Sequence, residues 1–153
     1  RSLILNNKST FNKNTDLLLY LASRSENIKL IKDNVGKKII LIDRFVDSTI
    51  AYQHYGMGIN IKLIKTINDY LLKKIKINFT FLNLVNKKNM KQRLSERKKL
   101  NRYDKFNALF YNKVQLGFLK IYNRKPTKYM KIDSNLNIID NQKKILKKIE
   151  ELI

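Results

Sequence analysis

The run Ile39-Ile40-Leu41-Ile42 constrains this chain more than any other stretch. It is too short for a helix and offers water no polar side chain on either face. It therefore reads as a strand buried on both sides, as in parallel sheets covered by helices. Two lysines precede it, and the sequence then turns polar at once, through Asp43-Arg44-Phe45-Val46-Asp47-Ser48-Thr49-Ile50-Ala51-Tyr52-Gln53. Open α/β sheets place their ligands at the carboxyl ends of strands. An acid and an arginine at that end, followed by hydroxyls, an aromatic ring and an amide, make residues 43–53 the wall of a candidate active site.

The remaining pattern alternates helices with short strands. Residues 16 to about 35 have helical periodicity, with Asp16 as N-cap, Leu17, Leu18, Leu21, Ile28 and Ile31 as the apolar face, and Gly36 as the stop signal. Gly56 and Gly58 mark a loop before a helix over about 60–75, faced by Ile61, Leu63, Ile64, Ile67, Leu71 and Leu72. Phe79 to Val85 reads as a second buried strand by its aromatic and β-branched content. A basic helix over about 87–97 follows, with Arg93 and Arg97 projecting from one face. A helix over about 103–122 is closed off by Pro126, the only proline. A strand at 129–133 and a helix over 138–153, packed through Ile138, Ile139, Ile145, Ile149 and Leu152, complete the chain. The expected class is α/β, with a parallel sheet, right-handed crossovers and helices on both faces, in a single domain over 1–153.

Composition excludes several functions. The chain has no cysteine and one histidine, His54, which rules out a disulfide framework and a thiolate metal site and would leave a zinc site resting mainly on carboxylates, against zinc's usual ligand choice. No apolar run is long enough to span a bilayer and no signal pattern is present, so no membrane partner is expected and the chain is read as cytoplasmic. The net charge of +21 would attract any polyanion. Yet the lysines are spread over every segment instead of forming a stripe with interleaved aromatics. Lysine, asparagine and isoleucine dominate together, as A+T-rich coding favours. That drift accounts for the charge better than nucleic-acid binding does, and a basic nucleic-acid-binding module stands as the alternative reading.

Arginine is scarce, with seven among 33 basic residues. Five of the seven, Arg24, Arg44, Arg93, Arg97 and Arg102, fall in or beside the segments a site at the sheet end would use. Arginine's planar fork grips phosphate oxygens at two points, which lysine cannot do. This favours a phosphate-handling enzyme, with Arg93, Arg97 and the basic stretch 98–104 as a lid over a triphosphate. Any one of these arginines taken alone fits a surface ion pair. Tyr20 and Arg24, four apart on one helix face, equally fit an aromatic at the core edge beside a solvated arginine.

Asp43-Arg44-Phe45, Asp47-Ser48 and Ala51-Tyr52-Gln53 closely resemble the Asp-Arg-aromatic, Ser, Ala-Tyr-Gln signature of thymidylate kinases. Leu17 to Arg24 resembles the preceding helix of that family, and Arg93, Arg97 and Asn101-Arg102-Tyr103-Asp104 resemble the arginine-bearing lid of its bacterial members, about 93–104 here. The usual closing pattern of that lid is Asp-Arg-Ile/Tyr-Glu, so Asn101 is a departure. The resemblance implies a three-layer P-loop kinase fold and transfer of a phosphoryl group from ATP to dTMP, giving dTDP, with Mg²⁺. Tyr20 would stack on thymine, Arg24 bond the base, and Arg44 grip the dTMP phosphate. Asp43 would lie near Mg²⁺ through water. Ser48 and Thr49 would approach the base, Tyr52 would pack on the deoxyribose, and Gln53 would close the pocket. Arg93, Arg97 and Arg102 would reach the ATP phosphates. The family's members are commonly dimers, which makes the helices at 16–35 and 60–75 candidate homodimer surfaces.

One family feature is missing from the sequence. P-loop kinases open with Gly-x-x-x-x-Gly-Lys-Ser/Thr, and glycines at only 36, 56, 58 and 117 cannot supply it. Arg1-Ser2-Leu3-Ile4-Leu5 resembles the helix that follows this region, so the chain resembles the family without its first two strands. The absent strand would lie between 39–42 and 79–85 and leave unpaired backbone on both. The expectation is that the parent protein phosphorylates dTMP and that these 153 residues alone fold poorly and do not. Another small deoxynucleoside kinase and an inactive remnant are the nearest rivals.

Overall fold

The computed structural model describes residues 2–73 and 75–153. Arg1, at the head of the stretch likened to a family helix, lies outside the described residues, as does Lys74 within the helix expected over 60–75. The chain divides into two compact units, one formed by 1–76 with 101–121 and the other by 77–100 with 122–153.

In the first unit, α1 (Ser2–Leu5) is followed by α2 (Lys13–Asn34). α2 starts earlier than predicted because Asn12, not Asp16, is its N-cap, accepting from the Asn14 and Thr15 amides. Asp16 is carried into the first turn and fully buried. Gly36 follows the helix end with φ +79°, a conformation that glycine adopts without strain. The buried face comprises Leu17, Leu21, Ile28 and Ile31, while Leu18, expected there, is exposed. α3 (Val46–Thr49) continues into a π-helical segment, Ile50–Gly56, and α4 (Ile61–Leu72) is capped by Asn60. Leu17, Leu21, Ile59 and Ile64 form the core, with Ile50, Met57, Ile67 and Leu71 packed on it. Each such burial is worth about 1.5–3 kcal/mol.

The buried strand expected at 39–42 is not found. Ile39, Leu41 and Ile42 are 61%, 74% and 44% exposed, and the segment forms no strand ladder. An apolar run states a demand for burial, but a strand also needs a neighbour for its amides and carbonyls. Among the described residues only two strands pair.

Those two lie in the second unit. β1 (Thr80–Leu84) and β2 (Tyr129–Asp133) run parallel, in register from Thr80 opposite Tyr129 to Leu84 opposite Asp133, and bury Leu82 and Ile132. Both strands fall where the sequence predicted them, and the α/β class with parallel pairing holds. α5 (Lys87–Ser95) ends before Arg97, so Arg93 and Arg97 do not share a helix face as expected. α6 (Ala108–Arg124) starts five residues later than predicted, because Tyr103–Lys105 forms a separate 3-10 turn and Phe106 is extended. In α7 (Ile138–Glu150) Ile138 and Ile139 are exposed rather than packed. Asn141 faces inward instead, its Nδ2 donating to the Asp133 carbonyl at 2.8 Å.

Candidate active site

Arg44 ends the exposed 39–42 stretch with φ +62°. A side chain in the left-handed region is uncommon and costs about 1–2 kcal/mol. The exposed guanidinium lies over the Tyr52 ring, 5.2 Å from its centroid, beside the exposed Asp43. Cation and ring thus share one face, and against partial desolvation the Tyr52 ring and hydroxyl together with Asp43 hold the guanidinium charged.

Arg24 is not the solvated arginine its spacing suggested. It is buried, and its Nη1 donates to Asn68 Oδ1 at 2.6 Å while Nη2 donates to Thr49 Oγ1 at 2.7 Å and to the Phe45 carbonyl at 3.1 Å. Its carbon centre sits 5.2 Å from the Phe45 ring centroid. Burial pushes the guanidinium down to about 10, which leaves it charged at neutral pH. Asn68 is itself fixed, donating to the Ile64 carbonyl at 2.8 Å. One arginine therefore ties α2 and α4 to the turn that carries Arg44 and to α3.

The π-helical segment sets the next two groups. Its wide turn, with the Met57 amide on the Tyr52 carbonyl at 3.0 Å, buries Gln53 while Tyr52 stays partly open. Such turns are rare and concentrate at functional sites. The Tyr52 ring meets Tyr103, Phe110 and Phe118 edge-on at 6.0–6.3 Å. Ser48 is half-buried one residue before Thr49.

Tyr20, half-buried on α2, meets the Tyr103 ring at 6.1 Å and 73°. Burial raises both phenols above their ordinary value. Arg102 closes a two-pronged ion pair on the buried Asp16, both contacts 2.8 Å, and adds a bond to the Phe11 carbonyl at 3.0 Å. Asn101, the departure from the family pattern, caps the turn: its Oδ1 accepts from the Tyr103 amide at 2.8 Å and its own amide donates to Asp104 at 2.9 Å. An aspartate could accept that same amide, so the substitution keeps the turn.

The structure thus gathers Tyr20, Arg24, Asp43, Arg44, Ser48, Thr49, Tyr52, Gln53 and Arg102 in the first unit, while Arg93 and Arg97 belong to the second. The predicted lid over 93–104 is divided between the units. Arg93 is exposed and donates to the Ser134 carbonyl. Asp16, Asn68 and Tyr103 carry roles that the sequence reading did not assign. A signal existed for two of them: Asp16 and Asn68 are polar residues at helical spacing on apolar faces, and a buried polar group there requires a partner.

A family profile described as thymidylate kinase matches residues 1–145. The chain belongs to the thymidylate kinase family. A thymidylate kinase of Exiguobacterium sibiricum is 33% identical over 152 residues, which is 97% of this chain and 72% of that protein. One from Staphylococcus epidermidis is 34% identical over 124 residues, 79% of this chain and 61% of that protein. The crystal structure of thymidylate kinase from Ehrlichia chaffeensis superposes with a TM-score of 0.70 at 30% identity, covering 94% of this chain and 67% of its own. The chain accordingly shares the fold of the thymidylate kinases, which are phosphotransferases, and spans about 61–72% of the length of these relatives.

Proposed function

We propose that this chain carries the acceptor side of a dTMP kinase, which transfers a phosphoryl group from ATP to dTMP and yields dTDP. One observation supports this above the others. Residues from three separated stretches, Tyr20 and Arg24, Arg44 to Gln53, and Arg102 with Tyr103, belong to one unit and are joined by direct hydrogen bonds and ring contacts. Arg44, with its guanidinium over an aromatic ring, suits a monophosphate. Its fork takes two phosphate oxygens while Tyr52 presents a face to the sugar. Tyr20 supplies the stacking ring for the base, and Arg24 holds Thr49 and the Phe45 carbonyl in place beneath it. Ser48 and Gln53 complete the pocket.

The donor side falls to Arg93 and Arg97, whose charge would stabilise the phosphates during transfer. Among the described residues no cluster of three metal-ligating side chains occurs. That fits Mg²⁺ held largely by its own waters and by substrate phosphates, with Asp43 reaching it through water. The ion would neutralise charge on the transferred group. No helix among the described residues is long and apolar enough to cross a membrane, in keeping with a cytoplasmic enzyme. The exposed Leu18 and Leu30 on α2 and Leu63 and Tyr70 on α4 support pairing of two copies through these helices.

Two measurements test the reading. Equilibrium titration of the protein should show dTMP binding ahead of dUMP and thymidine. A coupled ADP-release assay on the intact protein with ATP should show turnover with dTMP. Preference for thymidine would reject the assignment, and tight salt-dependent DNA binding without nucleotide phosphorylation would favour the nucleic-acid alternative.

A further inference from the structure

Three acceptor-side groups, the Tyr20 ring, the Tyr52 ring and the Gln53 amide, meet on one residue. That residue is Tyr103, which the reading above joins to the site without giving it a task of its own. Its ring stands 6.1 Å from each of the other two tyrosine rings, inclined at 73° and 61°. Gln53 Nε2 donates to its hydroxyl at 3.3 Å, and the Tyr103 hydroxyl donates to Asp16 Oδ2 at 3.4 Å. A phenol has one proton and two acceptor sites. With the proton directed to the Asp16 carboxylate, the Tyr103 oxygen accepts from Gln53, so the hydroxyl bridges the amide and the carboxylate.

The carboxylate is in turn fixed from the other side. Asp16 is fully buried and held by both prongs of Arg102, which also bonds the Phe11 carbonyl. The Tyr111 hydroxyl adds a bond to the Tyr103 carbonyl at 2.8 Å. Arg102 therefore spends its fork on the protein, and Tyr103 is braced at both its backbone and its hydroxyl.

We propose that Tyr103, held by the Asp16–Arg102 pair, is a positioning residue of the acceptor site. It sets the spacing of the Tyr20 and Tyr52 rings and the orientation of the Gln53 amide. Arg102 serves this brace and not the ATP phosphates it was expected to reach. The inference rests on the dTMP kinase reading.

Tyr103→Phe keeps the ring and deletes the hydroxyl. In the intact enzyme it should raise KM for dTMP about three- to tenfold, the loss expected for one hydrogen-bond network member, with KM for ATP and kcat unchanged. Arg102→Lys, which removes the two-pronged grip, should shift the same constant in the same direction. A rise in KM for ATP with either variant would return Arg102 to the donor side and overturn the proposal. An unchanged KM for dTMP in folded Tyr103→Phe would make Tyr103 an ordinary core residue. Loss of fold in both variants would also overturn it, by showing a scaffold role alone. Failure of the wild type to use dTMP would reject the function itself, and is read before any substitution is made.

Discussion

Arg44 apart, the two units employ arginine in opposite ways. In the first, Arg24 and Arg102 are enclosed, and their donors are directed at named protein groups: Asn68, Thr49 and the Phe45 carbonyl for one, Asp16 and the Phe11 carbonyl for the other. In the second, Arg93 lies exposed on α5 with a single hydrogen bond to a loop carbonyl. The first pair joins separate stretches of its unit to one another, while the exposed residue is the one the proposed function assigns to a ligand. A residue type chosen for gripping phosphate is thus used here as often to fix the protein's own scaffold.

The sharpest way to break this contrast is Arg102→Ala. It leaves Asp16, which is 0% exposed, as an uncompensated buried charge, and should lower stability by about 3–5 kcal/mol in urea denaturation. A loss no larger than that of a surface residue would show that the brace is ornamental. Gly117→Ala probes the packing of the same unit. A Cβ there would stand 2.6 Å from the Tyr55 ring, so overpacking should cost about 1–3 kcal/mol by the same measurement. The smallest stability effect belongs to Arg93→Ala, within about 0.5 kcal/mol in thermal melts. Its expected consequence is a fall in turnover without a shift in melting, and a large destabilisation would erase the distinction between the units.

Sequence carried much of this outcome, but unevenly. The runs at 39–42 and 79–85 look alike as sequence, and only the second became a strand, because β2 lies beside it. Apolar content is a property of the run itself, whereas pairing depends on residues far along the chain. The family was legible because Asp43 to Gln53 are contiguous and their order resembles a family signature. Tyr103 and Asp16 were not, since their contact joins positions 87 residues apart. Asp16 was read as a cap for a good local reason, as an acid just before an apolar period, and Asn12 displaced it by capping the helix four residues sooner. The π-helical turn at Ile50–Gly56 leaves no mark in composition that distinguishes it from an α-helix.

Arg44 places chemistry and stability in opposition. Its left-handed backbone is one that glycine would occupy at ease, so Arg44→Gly would relax the chain by about 1 kcal/mol while removing the phosphate grip proposed above. A population of variants selected for heat resistance alone would drift to glycine at this position and lose the enzyme. Retaining a side chain there requires selection that reads turnover.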